Sequence, residues 1–206
     1  AREAAMASGP LGDDVSKLFP VITPGASDTA TIDSAFELLV LAGRSLPNVM
    51  AMMVPEAWSG DPNNSPKKRA FYEYHSCLME PWDGPALLAF TDGKRIGANL
   101  DRNGLRPFRY TVTKDHFVVM ASETGVLDIP PEDVLYKSRL RPGKMLLVDP
   151  EVGRILEDDE IKEGLSDQRP YGRWVEDNLI RLDELPKASD EYPVNFKTLL
   201  ERQQAF

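Results

Sequence analysis

The apolar positions along the chain change period twice. Ile32, Phe36, Leu39 and Gly43 recur at helical spacing, with Ala35 and Val40 beside them. This predicts a helix over 29–43. Its surface is mostly apolar, so it is expected to be buried. Ser27, Asp28 and Thr29 are all candidate N-caps, because their side-chain oxygens accept from unpaired backbone N–H groups. Met50 to Gly60 is apolar but broken by Pro55. "NSPKKRAFYEYHSCLM" predicts a second helix, with Ser65 as N-cap and Pro66 at the first helical position. Pro81 ends it.

The period then shortens. "PALLAFTDGKRIGANL" holds two extended runs joined by Asp92-Gly93, a strong hairpin signal. "FRYTVTKDHFVVMASE" predicts a second hairpin turning at Lys114-Asp115. "RPGKMLLVDPEVGRILED" predicts a third, turning near Pro150 to Gly153. The count is five or six antiparallel strands after two helices. "PPEDVLYKS" is read as a short helix between them. The 29–43 helix is expected to lay its apolar face on the sheet formed by 86–156. From Asp158 the pattern is helical and charged again, with Pro186 to Pro193 as a linker before "YPVNFKTLLERQQAF". The opening "AREAAMAS" reads as the tail of a helix. No repeat or low-complexity segment interrupts the chain.

Composition narrows the possible functions. The chain has 206 residues, 42% hydrophobic and 28% charged, which is ordinary for a globular protein. A net charge of −9 argues against unspecific binding to nucleic acid or to an anionic membrane. No apolar run approaches a membrane span, and the N-terminus has no secretory core. A single cysteine, Cys77, excludes an internal disulfide.

Candidate chemistry is sparse. A nucleophilic thiol needs a base within hydrogen-bond reach. His75 and Cys77 stand two apart on a helix and face different directions. The ordinary reading is a core cysteine with surface or capping histidines, His116 included. Two histidines and one cysteine also make a poor metal set. "LEDDEIKEG" and "PPEDV" read as solvated helix starts, and "KKR" at 67–69 as a solvated face. Asp28 has two compatible readings. It is a helix N-cap, or a carboxylate offered to a ligand's ammonium group at a loop-to-helix junction. "DRNGLRPFRY" also has two readings. Asn103-Gly104 provides a turn and Pro107 forces Arg106 towards extended backbone, which favours a structural corner over an anion site. Arg102, Arg106 and Arg109 have Asp83, Asp92, Asp101 and Glu123 as candidate partners.

The blocks "GASDTATIDSAFELL", "AFTDGKRIGANLDRNGLRPFRY", "VVMASETGVLDIP" and "RLRPGKMLLVD", in this order, resemble the class II glutamine amidotransferases. "MVPEAW", "FYEYHSCLMEPWDGPALLAFTDG" and "ANLDRNGLRPFRY" resemble the glutamate synthase branch. The resemblance covers nearly the whole chain. It implies an α+β fold, part of the N-terminal-nucleophile hydrolase αββα sandwich of antiparallel sheets flanked by helices. It implies that Asp28 holds the α-amino group of substrate L-glutamine, with Ser27 beside it. It also makes Asp101, Asn103, Gly104 and Arg106 a structural corner near the site.

Two features depart from the family pattern. The family nucleophile is an N-terminal cysteine whose own amine is the base, and residue 1 here is Ala1. No Asn-Gly oxyanion block precedes "ITPGASD", and Asn103-Gly104 lies in a different block. The expectation is therefore the later part of an amidotransferase domain over 1–157, with no catalytic nucleophile. A helical segment over 158–206 would lead towards the next domain. The resemblance implies FMN and an iron–sulfur cluster for the parent enzyme and no cofactor or metal in this part. The implied partners are the remaining domains of the parent, not nucleic acid or membrane. The implied setting is cytoplasmic, or plastid stroma in a plant. The competing reading is a non-catalytic αβ scaffold.

Overall fold

The computed structural model describes residues 10–186. The helix tail expected in "AREAAMAS", the linker beyond Pro186 and the helix expected in "YPVNFKTLLERQQAF" lie outside the described residues. The first helix, α1, spans Asp28–Leu41 and buries one face, Ile32, Ala35 and Leu38. The expectation of burial holds for that face only, since Leu41 is exposed. Gly43 is not part of the apolar stripe. It stands past the helix end at φ 93°. Its N–H reaches Val40 O at 2.9 Å and the Arg44 N–H reaches Leu39 O at 3.1 Å. That pair of bonds closes a helix through a left-handed residue, a conformation glycine adopts without strain.

Helix α2, Leu46–Met53, ends within the first residues of the stretch from Met50 to Gly60 and begins before it. All eight of its residues are buried. Pro55 falls beyond its end, and Pro47 sits in the first turn, where no N–H is required. Apart from Asn48 its residues are apolar all round, so it has no stripe for periodicity to reveal. Helix α3, Pro66–Leu78, starts as expected, with the Ser65 hydroxyl accepting the Lys68 N–H.

Seven strands follow among the described residues, rather than five or six. The first four are β1 Leu87–Thr91, β2 Ile96–Leu100, β3 Arg109–Thr113 and β4 Val118–Ala121. The last three are β5 Val134–Arg139, β6 Met145–Asp149 and β7 Arg154–Glu157. The three expected hairpins are all present. The added strand is β5, which lies in "PPEDVLYKS". Only Pro131–Asp133 forms a helical turn there. Val134 onward pairs antiparallel with β3, and pairing across a sheet overrides a weak local helix signal. The strands form two antiparallel sheets, β1-β2-β6-β7 and β4-β3-β5. Helices α4, Asp158–Asp167, and α5, Tyr171–Asn178, complete the described chain.

The side chains of β6 point alternately to two cores. Met145 and Leu147 join the cluster that holds Ile32, Val49, Phe71, Ile161 and Leu165 from α1 to α4. Leu146 joins Ala98 and Leu100 against Tyr110 and Val112 of the other sheet. The layers are therefore helices, four-stranded sheet, three-stranded sheet. Helix α1 packs on α2 and reaches the sheet through Phe36, whose ring centroid is 6.0 Å from that of Phe90.

Buried charge joins these layers. Lys162 of α4 is 3% exposed, and its Nζ lies 2.8 Å from Glu56, 2.6 Å from Asp158 and 2.7 Å from the Gly143 carbonyl. Lys68 of α3 reaches Glu56 at 3.0 Å, and Lys144 reaches Asp158 at 2.7 Å. Asp158 also accepts the Met145 N–H. "LEDDEIKEG" is therefore not wholly a solvated helix start, and Lys68 takes "KKR" partly inside. Burial alone raises the Glu56 pKa, but Lys162 and Lys68 outweigh it and hold the carboxyl below its ordinary value. Beside it the buried Tyr72 hydroxyl is pushed up, first by burial and then by the Glu56 and Asp158 charges. Removing one member of a buried ion cluster strands the others. Lys162→Met is expected to lower unfolding stability by about 3–5 kcal/mol, read by urea denaturation. A loss within error of zero would show that the cluster is replaceable.

Candidate functional site

The start of α1 is set by Ser27, not Asp28. The Ser27 hydroxyl accepts the Ala30 N–H at 3.3 Å and lies 3.1 Å from the Thr29 hydroxyl. Asp28 is thus the first helical residue rather than the cap. Its carboxylate is exposed and has no hydrogen-bond or ion-pair partner among the described residues. A carboxylate in a first helical turn faces the positive end of the helix dipole. It is free to take a charge-assisted bond from a cation.

The 101–106 stretch is built around Asp101, which is buried. One carboxylate oxygen accepts the Ala86 N–H at 3.1 Å and the other the Asn103 N–H at 2.9 Å. Its carbonyl accepts the N–H groups of Gly104 and Gly143. Asp101 thereby ties the start of β1, the 102–104 turn and the loop before β6. Gly104 has φ +61°, and a Cβ there would sit 2.8 Å from the Pro142 Cα. Asn103 contributes its backbone. Arg102 makes an exposed ion pair with Asp83. Arg106 is exposed and has no side-chain partner among the described residues, so the corner does not rest on it. Arg109 likewise takes none of the acidic partners expected of it. No hydrogen bond or ion pair among the described residues joins Ser27 or Asp28 to this corner.

For Cys77 and His75 the roles are the reverse of the ordinary reading, whereas His116 is exposed as expected. Cys77 is exposed and its thiol meets the Glu73 carbonyl at 3.4 Å. His75 is 2% exposed, among the rings of Phe71, Tyr74 and Tyr171. Its Nδ1–H donates to the Phe71 carbonyl at 2.7 Å, and its Nε2 accepts from Arg44 at 3.3 Å. Both nitrogens are thus used in the neutral tautomer. Burial first, and then the Arg44 charge against the Phe71 bond, bring its pKa down to about 4. His116 turns the second hairpin at φ 67°. No group of three or more His, Cys, Asp and Glu among the described residues is placed to hold a metal. A cleft of about 980 Å³ separates the start of α3 from the α4–α5 turn, and neither Asp28 nor the Asp101 corner lines it.

The profile of the family described as Glutamine amidotransferases class-II matches residues 1–174. The chain belongs to the class II glutamine amidotransferases. That match runs through α1 to α4 and into α5, so both sheets and the cluster around Lys162 lie inside it. The chain is 49% identical over 206 residues to the glutamate synthase [NADPH] large chain of Bacillus subtilis, covering 100% of this chain and 13% of that protein. It is 46% identical over 186 residues to the glutamate synthase [NADH] of Schizosaccharomyces pombe, 90% of this chain and 9% of that protein. It is 44% identical over 207 residues to the ferredoxin-dependent glutamate synthase of Pyropia yezoensis, 100% of this chain and 13% of that protein. The chain spans between 9% and 13% of the length of these relatives.

Two expected outcomes test the geometry. Neutral His75 has a folded pKa near 4 against an ordinary 6.5, so the unfolded chain binds more protons between those values. Its contribution is complete above pH 6.5 and is lost as pH falls towards 4, at up to about 1.4 kcal/mol per pH unit. Urea unfolding at several pH values across that window should show a steeper fall in wild type than in His75→Asn. Equal slopes would show that His75 is not held neutral. At the corner, Gly104→Ala should cost more than about 1 kcal/mol, whereas Arg106→Ala should stay within about 0.5 kcal/mol of wild type. The reverse ranking would return Arg106 to the corner.

Proposed function

We propose that this amidotransferase chain serves the glutamine half of a glutamate synthase, with Asp28 holding the α-ammonium of L-glutamine and Ser27 beside it. The observation that carries this is the division of labour at the start of α1. Ser27 caps the helix, which leaves the exposed Asp28 carboxylate without a partner among the described residues. The named relatives support the parent activity. In it, glutamine is hydrolysed, the ammonia passes to 2-oxoglutarate, and the imine is reduced to glutamate.

The proposal assigns no catalytic nucleophile to this chain. The family chemistry uses an N-terminal cysteine with its own amine as base. Cys77, the chain's one cysteine, is internal and its thiol faces a backbone carbonyl. In this reading 1–157 is the later part of the amidotransferase domain, and 158–206 leads towards the next domain while α4 and α5 dock on α3. FMN and an iron–sulfur cluster belong to other parts of the parent. One cysteine cannot supply the several thiolates that such a cluster takes. The named relatives use NADPH, NADH or ferredoxin, yet match this segment at 44–49% identity. The segment is therefore assigned no part in choosing the electron donor. The proposed setting is the cytoplasm or, in a plant, the plastid stroma. No helix among the described residues is long and apolar enough to cross a membrane.

The test is made in an intact glutamate synthase carrying this segment. Losing one partner of a desolvated charge pair costs about 2–5 kcal/mol, roughly 30- to several-thousand-fold in binding. Asp28→Asn should weaken glutamine-dependent synthesis on that scale and leave synthesis from added ammonia nearly unchanged. A glutamine-dependent rate and KM near wild type would remove Asp28 from the site and favour the non-catalytic scaffold reading.

A further inference from the structure

We propose that Asn103-Gly104 is a deamidation site that the Asp101 corner holds shut, so that opening of the corner decides when Asn103 is converted. The inference goes beyond the glutamine-site reading and does not depend on it. Asparagine is a chemically labile side chain. It is most labile before glycine, because no Cβ on the next residue hinders attack by that residue's backbone nitrogen. Asn103-Gly104 is the one Asn-Gly pair in the chain. In the reaction the Gly104 nitrogen forms a bond to the Asn103 Cγ. The Nδ2 group leaves as ammonia, taking the proton of the Gly104 nitrogen, and a succinimide ring closes. Water then opens the ring at one of its two carbonyls, giving aspartate or isoaspartate.

One reacting group is free in the structure and the other is not. The Asn103 side chain is exposed and makes no hydrogen bond among the described residues, so its Cγ can turn. The nitrogen is tied down. The Gly104 N–H donates to the Asp101 carbonyl at 3.1 Å, and the Asn103 N–H donates to the Asp101 carboxylate at 2.9 Å. These bonds fix the peptide units on both sides of Asn103. Asp101 is 4% exposed, so water competes little for them. Gly104 is also pressed on Pro142, whose Cα a Cβ would approach to 2.8 Å. Ring closure requires the nitrogen to turn towards Cγ and give up its proton. Both are opposed while the bonds stand. The nitrogen comes free when the corner opens locally, and conversion then tracks the open population.

Conversion to isoaspartate does not leave the corner as it was. The main chain then runs through the former side-chain carbon and gains a methylene between residues 103 and 104. The Gly104 N–H is carried away from the Asp101 carbonyl, which also accepts the Gly143 N–H. The Gly143 carbonyl in turn accepts from Lys162 at 2.7 Å. One chemical event at an exposed turn thus reaches the corner and the buried ion cluster together. Because the ring opens to an acid and not back to the amide, each opening that leads to reaction leaves a permanent mark.

The test follows the peptide holding Asn103 by mass spectrometry in an intact glutamate synthase carrying this segment. The enzyme is incubated in mildly alkaline buffer with and without urea. The change from amide to acid adds mass, and a protein isoaspartyl methyltransferase labels the isoaspartate form. The folded enzyme should convert Asn103 about tenfold or more slowly than the urea-unfolded enzyme. Asp101→Asn should raise the folded rate several-fold, while Arg106→Ala should leave it at the wild-type value. Equal rates in folded and unfolded enzyme, or a folded rate that Asp101→Asn leaves unchanged, would overturn the proposal. If Asp101→Asn fails to fold, the wild-type enzyme decides in urea below its unfolding transition. A rate that climbs there reports local opening of the corner, and a rate that stays flat until the whole protein unfolds would overturn the proposal.

Discussion

One buried ammonium holds the layers together. Lys162 enters from α4 and meets carboxylates from the segment after α2 and from its own helix, together with the carbonyl of Gly143. The same Gly143 donates its N–H to Asp101, which anchors the start of β1 and the turn at 102–104. Two polar hubs therefore share one glycine. Gly143 has φ +68°, and a Cβ on it would approach the Glu56 Cβ to 3.1 Å. A side chain there would strain the backbone and press on the ion cluster at once. Each hub is satisfied only when the helical layer and the sheet sit in one relative position. Non-directional apolar packing specifies that less sharply.

That rigidity bears on Asp28 from a distance. Ile32, Ala35 and Leu38 seat α1 on the core, and Gly43 ends it with a closed set of bonds. The first turn of α1 then projects from a seated helix, with Ser27 consuming one free N–H. A carboxylate on such a support has its backbone position fixed, so only its own side-chain torsions remain to be ordered when a cation arrives. The Arg44 that follows Gly43 turns inward to Asn48 and His75. The end of α1 is thus tied to α2 and α3 by polar bonds as well as by packing.

Much of this architecture was readable from the chain because its signals are local. Ser65-Pro66 starts α3 through a cap and a proline that need no tertiary help. Asp92-Gly93 turns β1 into β2, where Gly93 has φ +81°. Glycine-free segments with non-local causes were read less well. Helix α2 has no polar face, so its period is invisible. Strand β5 forms because β3 offers it a partner. His75 and Asp158 are polar types that ordinarily stay outside, and each is inside because partners far along the chain satisfy it, Arg44 for one and Lys144 for the other. The family resemblance pointed to Asp28, but only the geometry shows that Ser27 and not Asp28 caps the helix. Arg106 drew attention through its motif, whereas the bonds of the corner belong to Asp101 and two glycines.

The charge of the chain is distributed with the same asymmetry as its layers. On the helical side, the buried Lys162 and the largely buried Lys68 are matched to carboxylates. On the outward face of the three-stranded sheet Arg109 and Arg139 are left unmatched among the described residues and set against one another. Exposed ion pairs contribute little to stability, so their absence there costs the fold little. Opposed arginines, however, add a repulsion that mixed charges on the same ladder would avoid. Folding is secured on one side of the sandwich by charges that are already paired.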